Sequence, residues 1–202
     1  MLKVGITGNI GSGKSLVCDL FKVYGIPVYD ADSEAKKLME TDETIIRLVK
    51  KEFGEESYID DKLNRPFIAK QVFGDFHKLH MLNAITHPVI IDHAQAWMSK
   101  QNAPYAIKEA ALIFESGSAK GLDVVVGIDA PYSLRVHRVV QRDGLSREDI
   151  LKRNDQQIDQ DMKMKLCDFV IMNDNKESLI RQVDELHKKL LTFKKENKRK
   201  SD

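Results

Sequence analysis

The residues from Gly8 to Ser15 have the types and the spacing of a loop that binds phosphate. They read Gly8-Asn9-Ile10-Gly11-Ser12-Gly13-Lys14-Ser15, which fits the pattern Gly, four residues, Gly-Lys-Ser/Thr. Glycines in such a loop let backbone N–H groups turn towards phosphate oxygens, while Lys14 brings a positive charge to the β- and γ-phosphates. The Ser15 hydroxyl is suited to bind Mg²⁺. The pattern therefore indicates a nucleotide-binding protein.

The segments on either side of this loop predict the strand and the helix that a phosphate loop requires. Leu2 to Thr7 is a short apolar run that ends at the loop, as expected for a buried strand. Leu16 to Tyr24 then places apolar side chains at helical spacing. Because the N-terminal end of a helix carries a partial positive charge, this helix would add to the attraction for phosphate.

Two carboxylates, Asp30 and Asp32, follow the second predicted strand, which lies within Gly25 to Tyr29. In open α/β sheets ligands bind at the carboxyl ends of strands, so both carboxylates are predicted to lie where a substrate could bind. The alternative is that one of them only caps the next helix, which is predicted to begin at Ser33.

A third group of residues able to bind an anion comes later in the chain. Arg138, Arg142 and Arg153 recur at intervals that could gather guanidinium groups around one phosphate, and phosphoryl transfer needs such cations. The alternative is an ordinary charged surface. The nearby segment from Ser146 to Asp149 has the pattern of a capping box and predicts the start of a helix.

The chain between residues 42 and 103 shows no convincing strand and carries several helical patterns. This stretch is longer than a crossover between strands needs, so we expect a helical lobe attached to the core. Thr86-His87-Pro88 predicts a break in the last of these helices, because proline disfavours helix in the residue before it. The imidazole of His87 would then either point to a site or lie at a junction without chemical function.

Three further runs predict strands of a parallel sheet. The first begins at Tyr105 and extends through Glu109 as far as Ile113. The second runs from Asp123 to Ile128, and the third from Asp168 to Asn173. The middle run is almost entirely β-branched, which is typical of a strand buried on both faces. The alternation of strands and helices predicts an α/β fold with about five parallel strands and helices on both faces.

Composition excludes several classes of protein. The 202 residues include 32 Lys and Arg and 31 Asp and Glu, and this balance argues against a general nucleic-acid binder. Cys18 and Cys167 lie far apart and are better explained as reduced thiols than as a disulfide. No apolar run approaches the ~20 residues of a membrane span. We therefore expect a cytoplasmic protein with neither a membrane nor a nucleic-acid partner.

These features favour a small-molecule kinase over other nucleotide-binding proteins. The guanine-reading sequence Asn-Lys-x-Asp is missing, which argues against a GTPase, and the chain is short for a motor. An acidic pair, a helical lobe and an arginine-bearing segment together indicate an acceptor pocket and a lid that excludes water. We expect one domain: a core over 1–40 and 104–193, an acceptor lobe over 41–103, a lid over 142–158 and a basic tail over 194–202.

The ordered set of motifs resembles the dephospho-coenzyme A kinase family. The matching pieces are Gly5 to Ser15, Asp30-Ala31-Asp32, Leu63-Asn64-Arg65, Val72-Phe73, His87-Pro88, Leu112 to Gly117, Arg138 with Arg142 to Ser146, Arg153 with Gln157, and Lys165 to Asp168 leading to Asn173. The resemblance implies a three-layer P-loop kinase-like fold and ATP-dependent phosphorylation of the ribose 3′-hydroxyl of dephospho-CoA, with Mg²⁺. It also implies a monomer or a weak homo-oligomer.

The resemblance assigns roles to individual residues. Asp32 would be the base near the acceptor hydroxyl, and Asp30 would support it or reach Mg²⁺ through water. Lys14 and Arg142 would hold the migrating phosphoryl group. The implied ATP site consists of Gly8, Asn9, Gly11, Ser12, Gly13, Lys14, Ser15, Leu16, Arg138, Arg142 and Asn173, and the implied acceptor site of Asp30, Asp32, Arg65, His87, Glu115 and Arg153. Glu115 would either contact the substrate or fix the loop after the third strand.

Four residues depart from the family's usual pattern: Asn9, Leu16, Asn64 and Ala111. None of them removes a proposed catalytic group, and Asn tolerates positive φ better than most residues. Two other functions stay open at this point. One is a kinase for another small alcohol, such as a nucleoside or a shikimate-like compound. The other is a nucleotide-dependent switch that hydrolyses ATP slowly and that no alcohol accelerates.

Overall fold

The computed structural model describes residues 1–144, 146–155 and 157–193, and omits the side chains of Arg147, Lys152, Arg153 and Asp155. The predictions for the Arg153 side chain and for the basic tail over 194–202 therefore lie outside the described residues. The chain divides into two compact units. The first contains residues 1–30 and the described residues from 97 onward, and the second contains residues 31–96.

Strands and helices alternate over most of the chain. The strands are β1 Leu2–Thr7, β2 Val28–Asp30, β3 Tyr58–Ile59, β4 Lys62–Leu63, β5 Tyr105–Glu109, β6 Val124–Asp129 and β7 Phe169–Met172. The helices are α1 Lys14–Val23, α2 Ala31–Thr41, α3 Glu43–Phe53, α4 Arg65–Val72, α5 Phe76–Ser99, α6 Tyr132–Asp143, α7 Arg147–Asp155, α8 Gln160–Lys165 and α9 Leu179–Leu191. No helix among the described residues is long and apolar enough to cross a bilayer.

The first unit is built on a parallel sheet of five strands in the order β2-β5-β1-β6-β7. Val4 of β1 lies between Ile107 of β5 and Val124 of β6, and this register brings the carboxyl ends of the strands to one edge. The prediction of about five parallel strands is confirmed. The third strand ends at Glu109 and does not continue to Ile113, because residues 111–117 form turns.

Each face of this sheet buries its own apolar cluster. On one face Val126 and Ile128 of β6 pack with Phe21 of α1 and Leu186 of α9. On the other face Val125 packs with Met98, Ile113 and Leu122, among other residues. Side chains of successive strand residues point to opposite faces, so a run of Val and Ile can fill both clusters. The predicted α/β fold with helices on both faces is confirmed.

Helix α8 was not predicted, and it lies against a glycine of the sheet. A Cβ atom at Gly127 would come within 2.6 Å of Met164 Sδ and 2.8 Å of Cys167 Sγ. The strand therefore needs a residue without a side chain where these sulfur atoms pack. Asp159 begins the helix by accepting hydrogen bonds from two backbone N–H groups of its first turn.

The second unit contains helices and a small hairpin. Ile45, Val49, Tyr58 and Ile68 form its buried core. The expectation that no strand lies between residues 42 and 103 is wrong, because β3 and β4 pair antiparallel. The two residues that join them, Asp60 and Asp61, have φ of 49° and 60°. Positive φ at both central residues is typical of a type I′ turn, which suits the twist of a hairpin. Strands of two residues are too short to show an alternating pattern.

Two further expectations about helix ends are corrected. Helix α5 runs without a break from Phe76 to Ser99 with Pro88 inside it, so the predicted interruption at His87 does not occur. Helix α2 begins at Ala31 and not at Ser33, which places Asp32 in its first turn. Asp32 is therefore not the residue that precedes and caps this helix. The predicted helix start at Ser146 is confirmed, since its hydroxyl accepts the N–H of Asp149 at 3.1 Å and donates to the Asp149 carboxylate at 2.7 Å.

The hairpin turn gives a test of backbone conformation. We expect Asp61→Gly to be more stable than Asp61→Ala by about 1 kcal/mol, because a Cβ atom is disfavoured at positive φ. Both substitutions remove the same carboxylate, so charge does not contribute to the difference. Urea unfolding of the two variants measures it. Equal stabilities would show that residue 61 does not hold a left-handed conformation in solution.

Lys108 is buried in the sheet, and this gives a test of pH dependence. Only 3% of its surface is exposed, and burial lowers the pKa of its ammonium group from 10.5 to about 8. Below about pH 8 Lys108 is charged in both the folded and the unfolded state. Only the folded state buries this charge away from water, and that burial lowers the stability of the fold. We expect Lys108→Met to be the more stable protein at pH 7, by roughly 3 kcal/mol.

The advantage of Lys108→Met should shrink as the pH rises from about 8 towards 10.5, because only the folded wild type has already released its proton in this range. Over this pH interval the wild type becomes more stable relative to the variant. Urea unfolding of both proteins at several pH values gives the difference directly. A difference that stays constant with pH would contradict burial of the charge.

Candidate active site

The phosphate loop joins β1 to α1 through a backbone that only glycine adopts easily. Gly11 and Gly13 have φ of 81° and 93°. A Cβ at Gly11 would collide with the backbone of Arg135, and one at Gly13 would collide with the side-chain amide of Asn173. The loop is therefore packed closely on two later segments of the chain. Of its N–H groups, those of Gly11 and Gly13 meet no acceptor among the described residues.

Lys14 lies where a phosphate-binding lysine is needed. It opens α1, and its Nζ donates a hydrogen bond to the carbonyl oxygen of Gly8 at 3.0 Å. The ammonium group is thus held across the loop at the N-terminal end of α1. A positive charge and N–H groups at the positive end of a helix are suited to bind an anion.

Glu109 completes this end of the sheet, although the sequence did not single it out. Its Oε1 accepts a hydrogen bond from the Ser15 hydroxyl at 2.9 Å. Burial raises the pKa of the Glu109 carboxyl group, and the charge of Asp30 acts in the same direction. The Ser15 hydroxyl and the charge of Lys14 partly offset this rise in pKa. The only signal in the sequence was its place on a predicted strand.

The Cys18 thiol lies next to the same carboxylate. It is 1% exposed on α1, and burial raises its pKa, with the nearby charge of Glu109 contributing. Both Cys18 and Cys167 are free, as expected from their spacing. Cys167 is only partly buried.

The predicted arginines are placed differently from one another. Arg138 donates from Nη2 to the backbone carbonyl of Asn173 at 3.0 Å and to the side chain of Asn175 at 2.7 Å. Arg138 and Asn173, both predicted for the ATP site, are therefore together. Arg142 is exposed and forms two hydrogen bonds of 2.8 Å with its neighbour Asp143. The third predicted residue, Arg153, has no described side chain.

A different arginine, Arg135, lies directly against the phosphate loop. It is 5% exposed, and its Nε donates to the carbonyl of Ala130 at 3.2 Å. Its Nη1 donates to the side chain of Asn154 at 3.3 Å and lies 3.5 Å from the carbonyl of Ile10. Burial lowers the pKa of its guanidinium group, whereas the charge of Asp129 raises it. Nothing in the sequence distinguishes Arg135 from a charged residue on the exposed face of α6, so the sequence did not predict its position.

Glu115, predicted for the acceptor site, forms a buried ion pair. Its Oε1 lies 3.0 Å from Nζ of Lys163, which is fully buried, and accepts the backbone N–H of Ile158 at 2.9 Å. Lys163 also donates to the carbonyl of Ala111 at 3.0 Å. These contacts fit the alternative in which Glu115 fixes the loop after β5. Binding of substrate by Glu115 stays a prediction.

Three of the predicted acceptor-site residues belong to the second unit. Asp32 is exposed in the first turn of α2. Arg65 begins α4 and donates from Nη2 to Oε1 of Glu40 at 3.0 Å. His87 is half-buried in the middle of α5. Their roles in binding an acceptor stay predictions.

Comparisons with known proteins agree with this geometry. The family model described as CoaE, dephospho-CoA kinase, matches residues 2–178. A dephospho-CoA kinase of Bacteroides fragilis is 40% identical over 186 residues, covering 92% of this chain and 91% of the relative. The solved structure of TT1252 from Thermus thermophilus has a TM-score of 0.79 at 34% sequence identity. The match covers 95% of this chain and 96% of TT1252. The solved structure of a dephospho-CoA kinase from Campylobacter jejuni has a TM-score of 0.67 at 27% sequence identity. The match covers 94% of this chain and 97% of that protein.

The Glu115–Lys163 pair can be tested by breaking it. We expect Lys163→Met to lower the free energy of unfolding by about 3 to 5 kcal/mol, because it leaves a buried carboxylate without its counter-charge. Adding Glu115→Gln to this variant should recover most of the loss, since the amide oxygen can still accept the N–H of Ile158. Urea unfolding measures both changes.

The exposed pair of Lys188 and Asp184, with atoms 2.7 Å apart, provides the matched control. Lys188→Met removes the same charged group from a solvated site, so the change in stability should be much smaller. Equal effects of Lys163→Met and Lys188→Met would contradict the burial of the first pair.

Proposed function

This chain belongs to the dephospho-CoA kinase family, and we propose that it transfers the γ-phosphoryl group of ATP to the ribose 3′-hydroxyl of dephospho-CoA. The 3′-oxygen forms a bond to the γ-phosphorus, the bond from that phosphorus to the β-phosphate oxygen breaks, and the hydroxyl proton is released. The products are CoA and ADP, and the reaction is the last step of coenzyme A biosynthesis. The observation that carries the proposal is the anion-binding loop with Lys14 across it, within a family match over residues 2–178.

The ATP side of the site would use the phosphate loop and the start of α1. The N–H groups of Gly11 and Gly13 would bind phosphate oxygens, and Lys14 would leave the Gly8 carbonyl to follow the charge of the γ-phosphate. Asn173 would lie beside the adenine, and Arg138, which donates a hydrogen bond to it, would support the lid. Arg142 would exchange Asp143 for the migrating phosphoryl group when the lid closes.

The residues beside Ser15 fit a Mg²⁺ ion that arrives with ATP. The Ser15 hydroxyl and the Glu109 carboxylate lie 2.9 Å apart, and both are oxygen ligands of the kind that Mg²⁺ prefers. Asp30 is close enough to raise the pKa of Glu109 and could bind the ion through water. Bound with ATP, Mg²⁺ neutralises charge on the β- and γ-phosphates. No group of three or more His, Cys, Asp or Glu in the described part of the chain could hold a metal alone.

The acceptor side would use Asp32 with Asp30, Arg65 and His87. A carboxylate in the first turn of α2 can orient the 3′-hydroxyl and accept its proton as the new bond forms. Because the transition state of phosphoryl transfer is loose, orientation is the larger part of this role. Arg65 and His87 would contact the acceptor, and Arg153 would support the lid.

The organisation of the chain follows from these roles. We assign the core to about 1–40 and 104–193, the acceptor lobe to about 41–103, the lid to about 142–158 and a basic tail to 194–202. All the proposed residues come from one chain, so a monomer or a weak homo-oligomer suffices. Dependence on ATP and the free thiols of Cys18 and Cys167 support a location in the cytoplasm.

The acceptor and its carboxylate can be tested together. With Mg·ATP, we expect ADP release that depends strongly on dephospho-CoA, and a fall in kcat by a factor of ~10² or more in Asp32→Asn while ATP still binds. A coupled assay of ADP release measures turnover, and calorimetry measures ATP binding. The control is Glu34→Gln, which removes a second carboxylate from the same helical turn and should change kcat by less than about threefold.

Turnover that is indifferent to dephospho-CoA would reject the proposed acceptor. Acceleration by another alcohol would then favour a kinase for a different small molecule. If no alcohol accelerated ADP release, a nucleotide-dependent switch would be the better explanation. Equal loss in Asp32→Asn and Glu34→Gln would reject the special role of Asp32.

A further inference from the structure

Residues 157–160 bind the first half of the phosphate loop. Oε1 of Gln157 accepts the backbone N–H of Ile10 at 3.1 Å. Oε1 of Gln160 accepts the backbone N–H of Asn9 at 3.3 Å. Two consecutive N–H groups of the loop are thus held by side-chain amides of one later segment, which we call the loop clamp.

Gln160 also connects the clamp to the sheet. Its Nε2 donates to the carboxylate of Asp129 at 2.8 Å and lies 3.3 Å from the carbonyl of Ile128, both at the end of β6. The side chain is 8% exposed. Both polar atoms of a buried amide are therefore used, and the loop is fixed to the strand that lies next to β1.

Asn9 adds a contact in the opposite direction. Its Nδ2 donates to the carbonyl of Ile158 at 3.3 Å, and Asn9 is fully buried. Asn9 is also one of the positions at which this sequence departs from the usual pattern of the loop. Its side chain explains why an asparagine is suitable there, since it extends the pairing between the two segments.

The clamp is itself held in place. The N–H of Ile158 is bound by Glu115 at 2.9 Å, and Glu115 is paired with the fully buried Lys163. Residues 157–160 are thus tied to the loop after β5 and to α8.

We propose that Gln157 and Gln160 are positioning residues for ATP, which keep the phosphate loop in its binding conformation before ATP arrives. They draw the N–H groups of Asn9 and Ile10 away from the phosphate space, so that Gly11 and Gly13 present theirs to it. The loop then pays less conformational entropy on binding. This inference rests on the proposed function for the identity of the donor, ATP, and does not depend on the identity of the acceptor.

Neutral amides suit this role. A carboxylate would accept the same N–H groups, but it would place a negative charge beside the phosphates. A backbone N–H without an acceptor would instead be free to reorient and would loosen the loop. Glutamine supplies the acceptor without the charge.

The test compares Gln157→Leu with the wild type. We expect the Kd for Mg·ATP, measured by calorimetry, and the KM for ATP to rise about five- to tenfold, the size of one lost hydrogen bond. The affinity for inorganic tripolyphosphate should fall by a similar factor, because the clamp positions the loop groups that bind the phosphates. kcat and the KM for dephospho-CoA should stay within about twofold. Gln157→Asn, whose amide is one methylene shorter, should show the same pattern.

Gln101→Leu is the matched control. Gln101 is half-buried, and its side-chain amide donates to the backbone carbonyl of Trp97 at 2.9 Å. This variant loses a hydrogen bond between a side-chain amide and the backbone at the end of α5 and not at the phosphate loop. It should lower thermal stability while leaving the Kd for ATP and for tripolyphosphate unchanged.

Three results would overturn the proposal: an unchanged Kd for ATP in Gln157→Leu, tighter binding of ATP in that variant, or an equal loss of affinity in Gln101→Leu. Tighter binding would mean that the clamp competes with phosphate. A wild type that binds ATP but ignores dephospho-CoA would reject the proposed acceptor, while the comparison of ATP affinities would still decide on the clamp.

Discussion

A phosphate loop must keep backbone N–H donors unpaired, close together and pointing to one place while no ligand is there. Unpaired donors cost free energy when they are shielded from water, and a flexible loop would turn them towards other acceptors. The surroundings of the loop in this chain address that constraint. Arg135 packs behind Gly11, Asn173 packs behind Gly13, and glutamine amides take the N–H groups that do not face the ligand.

The parallel sheet makes this arrangement possible. Because all five strands run in one direction, the residues that follow them gather at a single edge. Glu109 at the end of β5, Asp129 at the end of β6 and Asn173 after β7 come from distant parts of the sequence. Each of them contacts the phosphate loop directly or through one side chain. Burial of both faces of the sheet by aliphatic residues holds this edge rigid.

The local sequence pattern was enough to predict much of the phosphate loop and of the parallel sheet. The phosphate loop and the strand and helix around it follow from spacing, and the valine run from 124 to 126 predicted its strand. What the sequence did not reveal depends on which segments pair in the fold. Nothing near Glu109, Arg135 or Lys163 in the sequence marks them as contacts of the loop or of its supports. Ser15 and Glu109 are 94 residues apart, and Arg135 and Ile10 are 125 residues apart.

The errors have equally specific causes. Proline normally ends a helix, yet α5 continues through Pro88, so the packing and hydrogen bonds of the longer helix outweigh that local preference. The hairpin of the second unit was missed because its strands have two residues each, although Asp60 and Asp61 carried a turn signal. The arginines were chosen by charge and spacing, whereas burial separates Arg135 from the exposed Arg142.

The Cys18 thiol beneath the loop has a consequence for chemical durability. Oxidation by peroxide and alkylation both proceed through the thiolate. Burial and the neighbouring Glu109 carboxylate raise the pKa of Cys18, so the sulfur stays protonated. The carboxylate that stands beside Ser15 thus also protects its neighbour on α1 from electrophiles. A buried, protonated thiol on the helix that follows the phosphate loop is therefore expected to react more slowly with peroxide than an exposed cysteine would.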